Sequence, residues 1–423
     1  MDPQQDPYAG MSERKRRALE RAREYGMPGR VETWLRLGTP LVIGRREGYR
    51  IWDLDGRELL DLHLNGGTFN LGHRNPELQA ALVEALAELD IGNHHFPAEA
   101  RGELAEKLAR STPGDLHYSV FTPSGSEAND LAIRAARWAT GRRRIVALEA
   151  GFHGATGLSG AAGRDASARL FRSDYPDEFA TVPFDDLRAM ERALAPGDVA
   201  AVLLETIPAT YGFPVPSPGY LPGVKALCER YGAILVADEV QTGLGRTGRL
   251  WAIDGFGVEP DVLVTGKGLS GGLYPISAVV MTRAVGGFLR EQGWAYVSTF
   301  GGAEIGCRVA ARVLEICGHP ETLAHVQRIA ARLASDLAGL RARHPILRGI
   351  RQQGLVIGLE VDDPIGGVRL SRALYERGVW AMFAAFEMSV LQFKPGLLVD
   401  DAYCDTLLER LDTALGDLER ERV

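Results

Sequence analysis

Six apolar runs constrain the fold more than any other feature of the chain. They are YSVFTP (118–123), RIVALEA (144–150), VAAVLLET (199–206), AILVADEV (233–240), DVLVTGKG (261–268) and ISAVVMT (276–282). The runs are apolar on both faces instead of alternating, the pattern of central strands in a mostly parallel sheet covered by helices. Helical stretches such as 126–139 and 219–231 lie between them. Residues 41–64 read as short strands with turn signals at Arg46-Glu47-Gly48 and Asp55-Gly56. Past residue 303 the pattern predicts helices over 303–317 and 320–343, a strand over 354–361 and a closing helix over 401–420. This end reads as a smaller α+β domain. The polar residues 1–30 are expected to be loosely held. At 423 residues, 45% of them hydrophobic, the chain exceeds the usual size of one core, so two packed domains are expected.

Composition then removes several function classes. With 55 acidic and 48 basic residues the formal charge is -7, which argues against a nucleic-acid surface. The basic run at 11–24 reads as a solvated helix face. The start, MDPQQDPYAG, lacks the apolar stretch of a secretory signal, and no apolar run is long enough to cross a membrane. Cys228, Cys307, Cys317 and Cys404 show no CxxC spacing; they read as reduced thiols of a cytoplasmic protein, with no metal site expected. His94 and His95 are adjacent, which suits packing or a substrate pocket better than metal ligation.

Ligands of an open α/β sheet bind at the carboxyl ends of its strands, so the residues where each run stops carry the chemistry. AILVAD ends in Asp238-Glu239, and DVLVTG ends in Lys267. A lysine closing a buried strand needs a reason, because burying its charge is costly. A salt bridge is one. A Schiff base is the other: a desolvated lysine has a lowered pKa and attacks an aldehyde. Pyridoxal phosphate (PLP) also needs a carboxylate at its pyridine nitrogen, a role open to Asp238. YSVFTP leads into Ser124-Gly125-Ser126 and a helix, so this turn offers N–H groups to a phosphate; serine is equally a common N-cap. Phe152, in Gly151-Phe152-His153-Gly154, reads either as a ring stacked on a planar cofactor or as core.

These residues together resemble the class III aminotransferases, PLP enzymes of fold type I. DEVQTGLGRTGRLWA (238–252) and PDVLVTGKGLSGGLYPISAV (260–279) carry the resemblance, with SGSEAND (124–130), GFHG (151–154) and STFGG (298–302) in the expected order. It extends over roughly residues 40–400. It implies a large domain with a seven-stranded, mostly parallel sheet over 66–302, a small domain over 303–423, and a segment 1–65 belonging to the small one. Lys267 would be the Schiff-base lysine and the acid/base group on the substrate carbon. Asp238 would pair with the pyridine nitrogen and Gln241 with the phenolic oxygen. Val240 and Phe152 would flank the ring, with His153 and Glu205 supporting the cofactor. Ser124, Gly125 and Ser126 would hold the phosphate, joined by Thr299 of a second subunit, which implies a homodimer. Asn65, Gly66, Gly67, His94 and His95 would line the substrate pocket.

The chain departs from this family on the substrate side. Thr206 replaces the proline of the usual Glu-Pro pair begun by Glu205. A second glutamate and a carboxylate-binding arginine, common in the family, are Thr210 and Gln392 here. Losing both together fits a pair that works as a unit, since either charge alone would be buried unpaired. Lys394 remains as a carboxylate partner unless it points to solvent. Pro395-Gly396 and Ala303-Glu304 also differ from the usual Pro-Pro and Asn-Pro. The expected function is amino-group transfer between a small amine or amino acid and a keto acid. The alternative is another PLP chemistry (aminomutase, lyase, epimerase or carbon–carbon bond formation), all of which begin with the same proton abstraction.

Overall fold

The computed structural model describes residues 8–163 and 166–421. Its largest sheet has seven strands, ordered Leu116–Thr122, Ser277–Thr282, Val262–Thr265, Ile234–Asp238, Val199–Glu205, Arg144–Leu148 and Phe179–Val182. All neighbours are parallel except Ser277–Thr282, which runs antiparallel to both of its own. Each of the six apolar runs supplies one strand. The seventh, Phe179–Val182, is a four-residue edge strand too short and too exposed to stand out in the sequence.

Both faces of the sheet are covered, as continuous apolar runs require. Ile145, Ala147, Ala201, Leu203, Val236 and Val264 pack with the inward face of the helix Gly125–Thr140. Their alternates Val146, Leu148, Val202, Leu204, Leu235 and Leu263 join the main core with Tyr220, Leu221 and Val224 of the helix Tyr220–Tyr231. Each fully buried Val or Leu contributes about 1.5–3 kcal/mol relative to exposure. The helix Gly125–Thr140 ends at Gly141, whose φ of +65° closes it in the left-handed conformation.

The first residues behave differently from the expectation of a loose segment. Glu13–Tyr25 and Pro28–Arg36 are helices, the first capped by Ser12, whose hydroxyl accepts from the Lys15 amide. Lys15 is only 5% exposed, and its ammonium lies 2.7 Å from Asp53. The basic run is therefore not a wholly solvated face: this lysine is spent on tying the first helix to the strand Arg50–Asp53, and Leu19 packs with Val31 and Leu35. Residues 1–7 lie outside the described residues.

Ile43–Glu47, Arg50–Asp53 and Glu58–Asp61 form an antiparallel meander, and Val379–Trp380 joins it in parallel beside Glu58–Asp61. A third sheet combines Leu347–Gln353, Val356–Val361, Val390–Phe393 and Met382–Phe383. Helices Glu304–Gly318, Pro320–Arg343 and Asp401–Arg420 lie where periodicity placed them. The strand Leu347–Gln353 was not expected, because LRGIRQQ is largely polar and half-buried.

Candidate active site

Sheet register brings the two strand-end acids together: Glu205 pairs with Asp238 across adjacent parallel strands. Asp238 is buried and fixed from three directions. Its Oδ2 accepts from Asn129 Nδ2 at 2.9 Å and lies 2.8 Å from His153 Nδ1, while Oδ1 accepts from the Val240 amide at 3.0 Å. Each carboxylate oxygen has two lone pairs, so Oδ1 keeps one for a further donor. Glu205 accepts from the Phe152 and Ala209 amides, both at 3.0 Å. Burial pushes its carboxyl up to about 7; His153 opposes the shift and Asp238 adds to it.

Lys267 follows the strand Val262–Thr265 by two residues and opens a short 3-10 turn, Lys267–Ser270. Its φ of +43° is a left-handed backbone that a lysine adopts only under constraint, as functional sites often impose. Burial lowers its pKa, against which Asp238 and Glu205 act. The amine is thus held toward its neutral, nucleophilic form while two carboxylates remain in its field. Opposite it runs a left-handed turn over residues 64–67, with φ of +51° at Leu64, +49° at Asn65, +71° at Gly66 and +95° at Gly67. A β-carbon at Gly66 would sit 3.0 Å from Lys267 Cε. Glycine there keeps open the space in front of the amine.

Ser124, Gly125 and Ser126 form the N-terminus of a 16-residue helix. Ser124 caps it, accepting from the Glu127 amide at 3.2 Å, so the N-cap reading holds. The unpaired N–H groups of a helix start favour an anion. A β-carbon at Gly125 would approach Val240 Cγ1 to 3.2 Å, so the turn and Val240 border the same narrow space. Phe152 is 36% exposed and therefore does not belong to the core. Thr299 is exposed as well, in a segment with exposed Val297 and Phe300.

Lys394 does not point to solvent. It is 1% exposed, and its ammonium donates to Gln392 Oε1 at 2.8 Å and Gln241 Oε1 at 3.1 Å. Gln392 in turn donates through Nε2 to Ala209 O at 2.8 Å. Asn65 lines a cleft of about 1000 Å³ with Asp61, His63, Phe69, Trp380 and Phe383. His94 is exposed and stacks beside His95, which meets Trp294 in turn; among the described residues no hydrogen bond or ring contact links it to the Lys267 site.

Three contributors escaped the sequence. Asn129, a helix residue 109 positions from Asp238, lies in the SGSEAND motif, which gives it no role of its own. Thr206, noted only as a missing proline, donates its hydroxyl to buried Glu239. Arg246 is buried and donates to Pro395 O at 2.6 Å and Leu355 O at 2.8 Å, fastening the loop after Asp238 to the third sheet. Among the described residues no cluster of His, Cys, Asp or Glu is arranged for a metal, and no helix is long and apolar enough to cross a membrane.

Known proteins resemble the chain along nearly all of its length. The family model for class III aminotransferases matches residues 36–415. An uncharacterized aminotransferase of Archaeoglobus fulgidus is 45% identical over 408 residues, covering 96% of each chain. A putrescine aminotransferase of Pectobacterium atrosepticum is 35% identical, covering 86% of this chain and 80% of that one. The structure of an ornithine aminotransferase from Toxoplasma gondii superposes with a TM-score of 0.85 at 28% identity, over 96% of this chain and 95% of that one. These findings favour amino-group transfer over the other PLP chemistries. The chain belongs to the class III aminotransferase family and is a PLP-dependent transaminase of fold type I.

Proposed function

We propose that this enzyme holds PLP covalently on Lys267 and exchanges an amino group between a small amine or amino acid and a keto acid. The observation that carries this reading is the buried lysine at one strand end, in the field of a neighbouring strand-end carboxylate locked by Asn129, His153 and the Val240 amide. The residues fit the cofactor: Asp238 Oδ1 has a lone pair left for a ring N–H, and glycines keep clear the space before Lys267 and beside Val240. PLP, when bound, supplies an aldehyde for primary amines and a ring that takes up electron density.

The chain's own residues do the rest. Asp238 would hold the pyridine N–H of bound PLP and so favour its electron-withdrawing form. Ser124, Gly125 and Ser126 receive the phosphate at the helix N-terminus. Val240 and Phe152 enclose the ring, and Gln241 holds its phenolic oxygen. Glu205 fixes the Phe152 backbone, and His153 fixes Asp238. Lys267, favoured in its neutral form by burial, would act at its Nζ as the base that takes the proton from the amine-bearing carbon of the substrate and as the acid that gives it back. Asn65, Gly66, His94, Thr210, Gln392 and Lys394 are assigned to the substrate side.

Thr299 completes the phosphate site of a second copy in this reading, which makes the enzyme a homodimer. The exposed Phe96, Trp294, Val297 and Phe300 support it, as large apolar side chains of the kind that subunit contacts cover. In this reading 66–302 is the large domain and 303–423 the small one, with 1–65 assigned to the latter; the pairing of Glu58–Asp61 with Val379–Trp380 supports that assignment. Four unpaired, buried cysteines favour a reducing compartment, the cytoplasm. Borohydride reduction of the PLP-loaded enzyme, followed by peptide mass spectrometry, tests the central assignment. The label is expected on Lys267 and absent in Lys267→Ala; a label on another lysine would overturn the reading.

A further inference from the structure

A lysine buried to 1% exposure without a counter-charge is the least explained group in this site. Lys394 donates to two neutral amide oxygens, those of Gln392 and Gln241, and its Nζ lies 5.8 Å from the centre of the Phe213 ring, so it meets polarisable and amide groups but no counter-charge. An ammonium has three donors, so one has no oxygen acceptor. Among the described residues no carboxylate lies within ion-pair distance of it. Asp61, the acid that acts on it from further off, is occupied by His73 Nε2 and by the His63 and Leu64 amides. The other ionisable neighbours are basic and offer no counter-charge: Arg246, spent on two backbone carbonyls, and Lys267. Burial, reinforced by these two basic groups, holds Lys394 well below the ordinary lysine range. Two further buried polar atoms near the site, His63 Nδ1 and Thr210 Oγ1, have no partner. His63 feels both Lys394 and Lys267, and it lines the cleft that includes Asn65.

A lysine held neutral by burial takes up a proton when an anion arrives beside it, because the pair offsets the cost of the buried charge. We propose that Lys394, held in position by Gln392 and Gln241, binds the carboxylate of the substrate through its free N–H, so that the enzyme selects carboxylate-bearing amines over plain ones. Gln392 serves as a positioning residue: its Nε2 is anchored on Ala209 O, which turns its oxygen toward the ammonium. The inference deepens the transaminase reading given above and rests on it.

The test compares matched amines with and without a carboxylate, L-alanine against ethylamine and 4-aminobutyrate against butylamine. Each is mixed with the PLP-loaded enzyme while the decay of the visible cofactor band is followed. The wild type is expected to prefer the carboxylated member of at least one pair. In Lys394→Met that preference, expressed as the ratio of second-order rates within the pair, is expected to fall about 10- to 100-fold, the loss of one charge-assisted hydrogen bond. If the ratios stay unchanged in Lys394→Met, or the wild type shows no preference in either pair, the proposal is overturned. Lys394→Gln, which keeps a hydrogen-bond donor but no charge, is read the same way should the methionine variant fold poorly. A wild type that shows no cofactor band after incubation with PLP would refute the underlying transaminase assignment instead, and the two failures are therefore distinct.

Discussion

Asn129 spends both hydrogens of its amide on the centre of the site, one on Asp238 Oδ2 at 2.9 Å and one on His153 O at 2.8 Å. It thus ties the helix behind the phosphate turn both to the carboxylate and to the backbone of the histidine that supports it. Removing one donor from a buried carboxylate costs about 1.5–3 kcal/mol. Asn129→Ala is expected to raise the PLP dissociation constant about 10- to 100-fold, measured by absorbance titration of the apoenzyme. An unchanged constant would show that His153 and the Val240 amide hold Asp238 alone.

Thr206 explains a departure that looked arbitrary in the sequence. Its hydroxyl donates to Glu239 Oε1, and Thr242 and the Ala252 and Ile253 amides supply the other partners of this buried acid. Burial pushes Glu239 up to about 7, and each donor acts against that shift. Thr206→Val keeps the shape and deletes the donor, so it is expected to destabilise the fold by about 1–3 kcal/mol in urea unfolding. A loss below about 0.5 kcal/mol would mean that the other three donors suffice.

The cofactor side of the site was legible because its residues lie where apolar strands end: Asp238, Glu205 and Lys267 are each marked by the run before them. Of the partners that orient Asp238, His153 was legible and Asn129 was not. Asn129 sits in the SGSEAND motif with no mark of its own role, and only the packing of Gly125–Thr140 over the sheet brings it to Asp238. The same limit applies to fold elements whose burial is partial. Phe179–Val182 and Leu347–Gln353 are half-buried, so their strands lack the apolar signature that exposed the other six. Charge misled in the opposite direction: Lys15 belongs to a basic run, yet Asp53 takes it into the interior, a pairing that no local pattern announces.

Glu205 predicts a pH dependence of stability. With its carboxyl at about 7 against 4.5 for a free glutamate, the native state keeps a proton that the unfolded chain has already released. This contribution is complete below about pH 4.5, declines as pH rises and is gone above about 7, a change of up to roughly 3 kcal/mol. Glu205→Gln removes the titration, although it also leaves one of the two backbone amides without its acceptor. Apoenzyme stability measured by urea unfolding between pH 5 and 8 is expected to fall more steeply for the wild type than for the variant. Parallel curves would mean that Glu205 does not hold its proton in the fold.

Gln392 occupies the position where an arginine would give this enzyme the common glutamate exchange, and its surroundings are built for an amide. Its Nε2 donates to Ala209 O while its Oε1 accepts from Lys394, a combination that a guanidinium, which only donates, does not reproduce. Gln392→Arg would set a second buried cation against Lys394, near Arg246, with Thr210 where a compensating glutamate is absent. The substitution is expected to destabilise the fold by about 3–5 kcal/mol, as unpaired buried charges do, and not to create efficient glutamate turnover. Adding Thr210→Glu should recover part of the loss, with a coupling of about 1–3 kcal/mol in a double-mutant cycle, because the two sites flank the Gln392–Ala209 contact. Efficient use of glutamate by the wild type, or by Gln392→Arg alone, would show that recognition at this end does not depend on a paired arginine and glutamate.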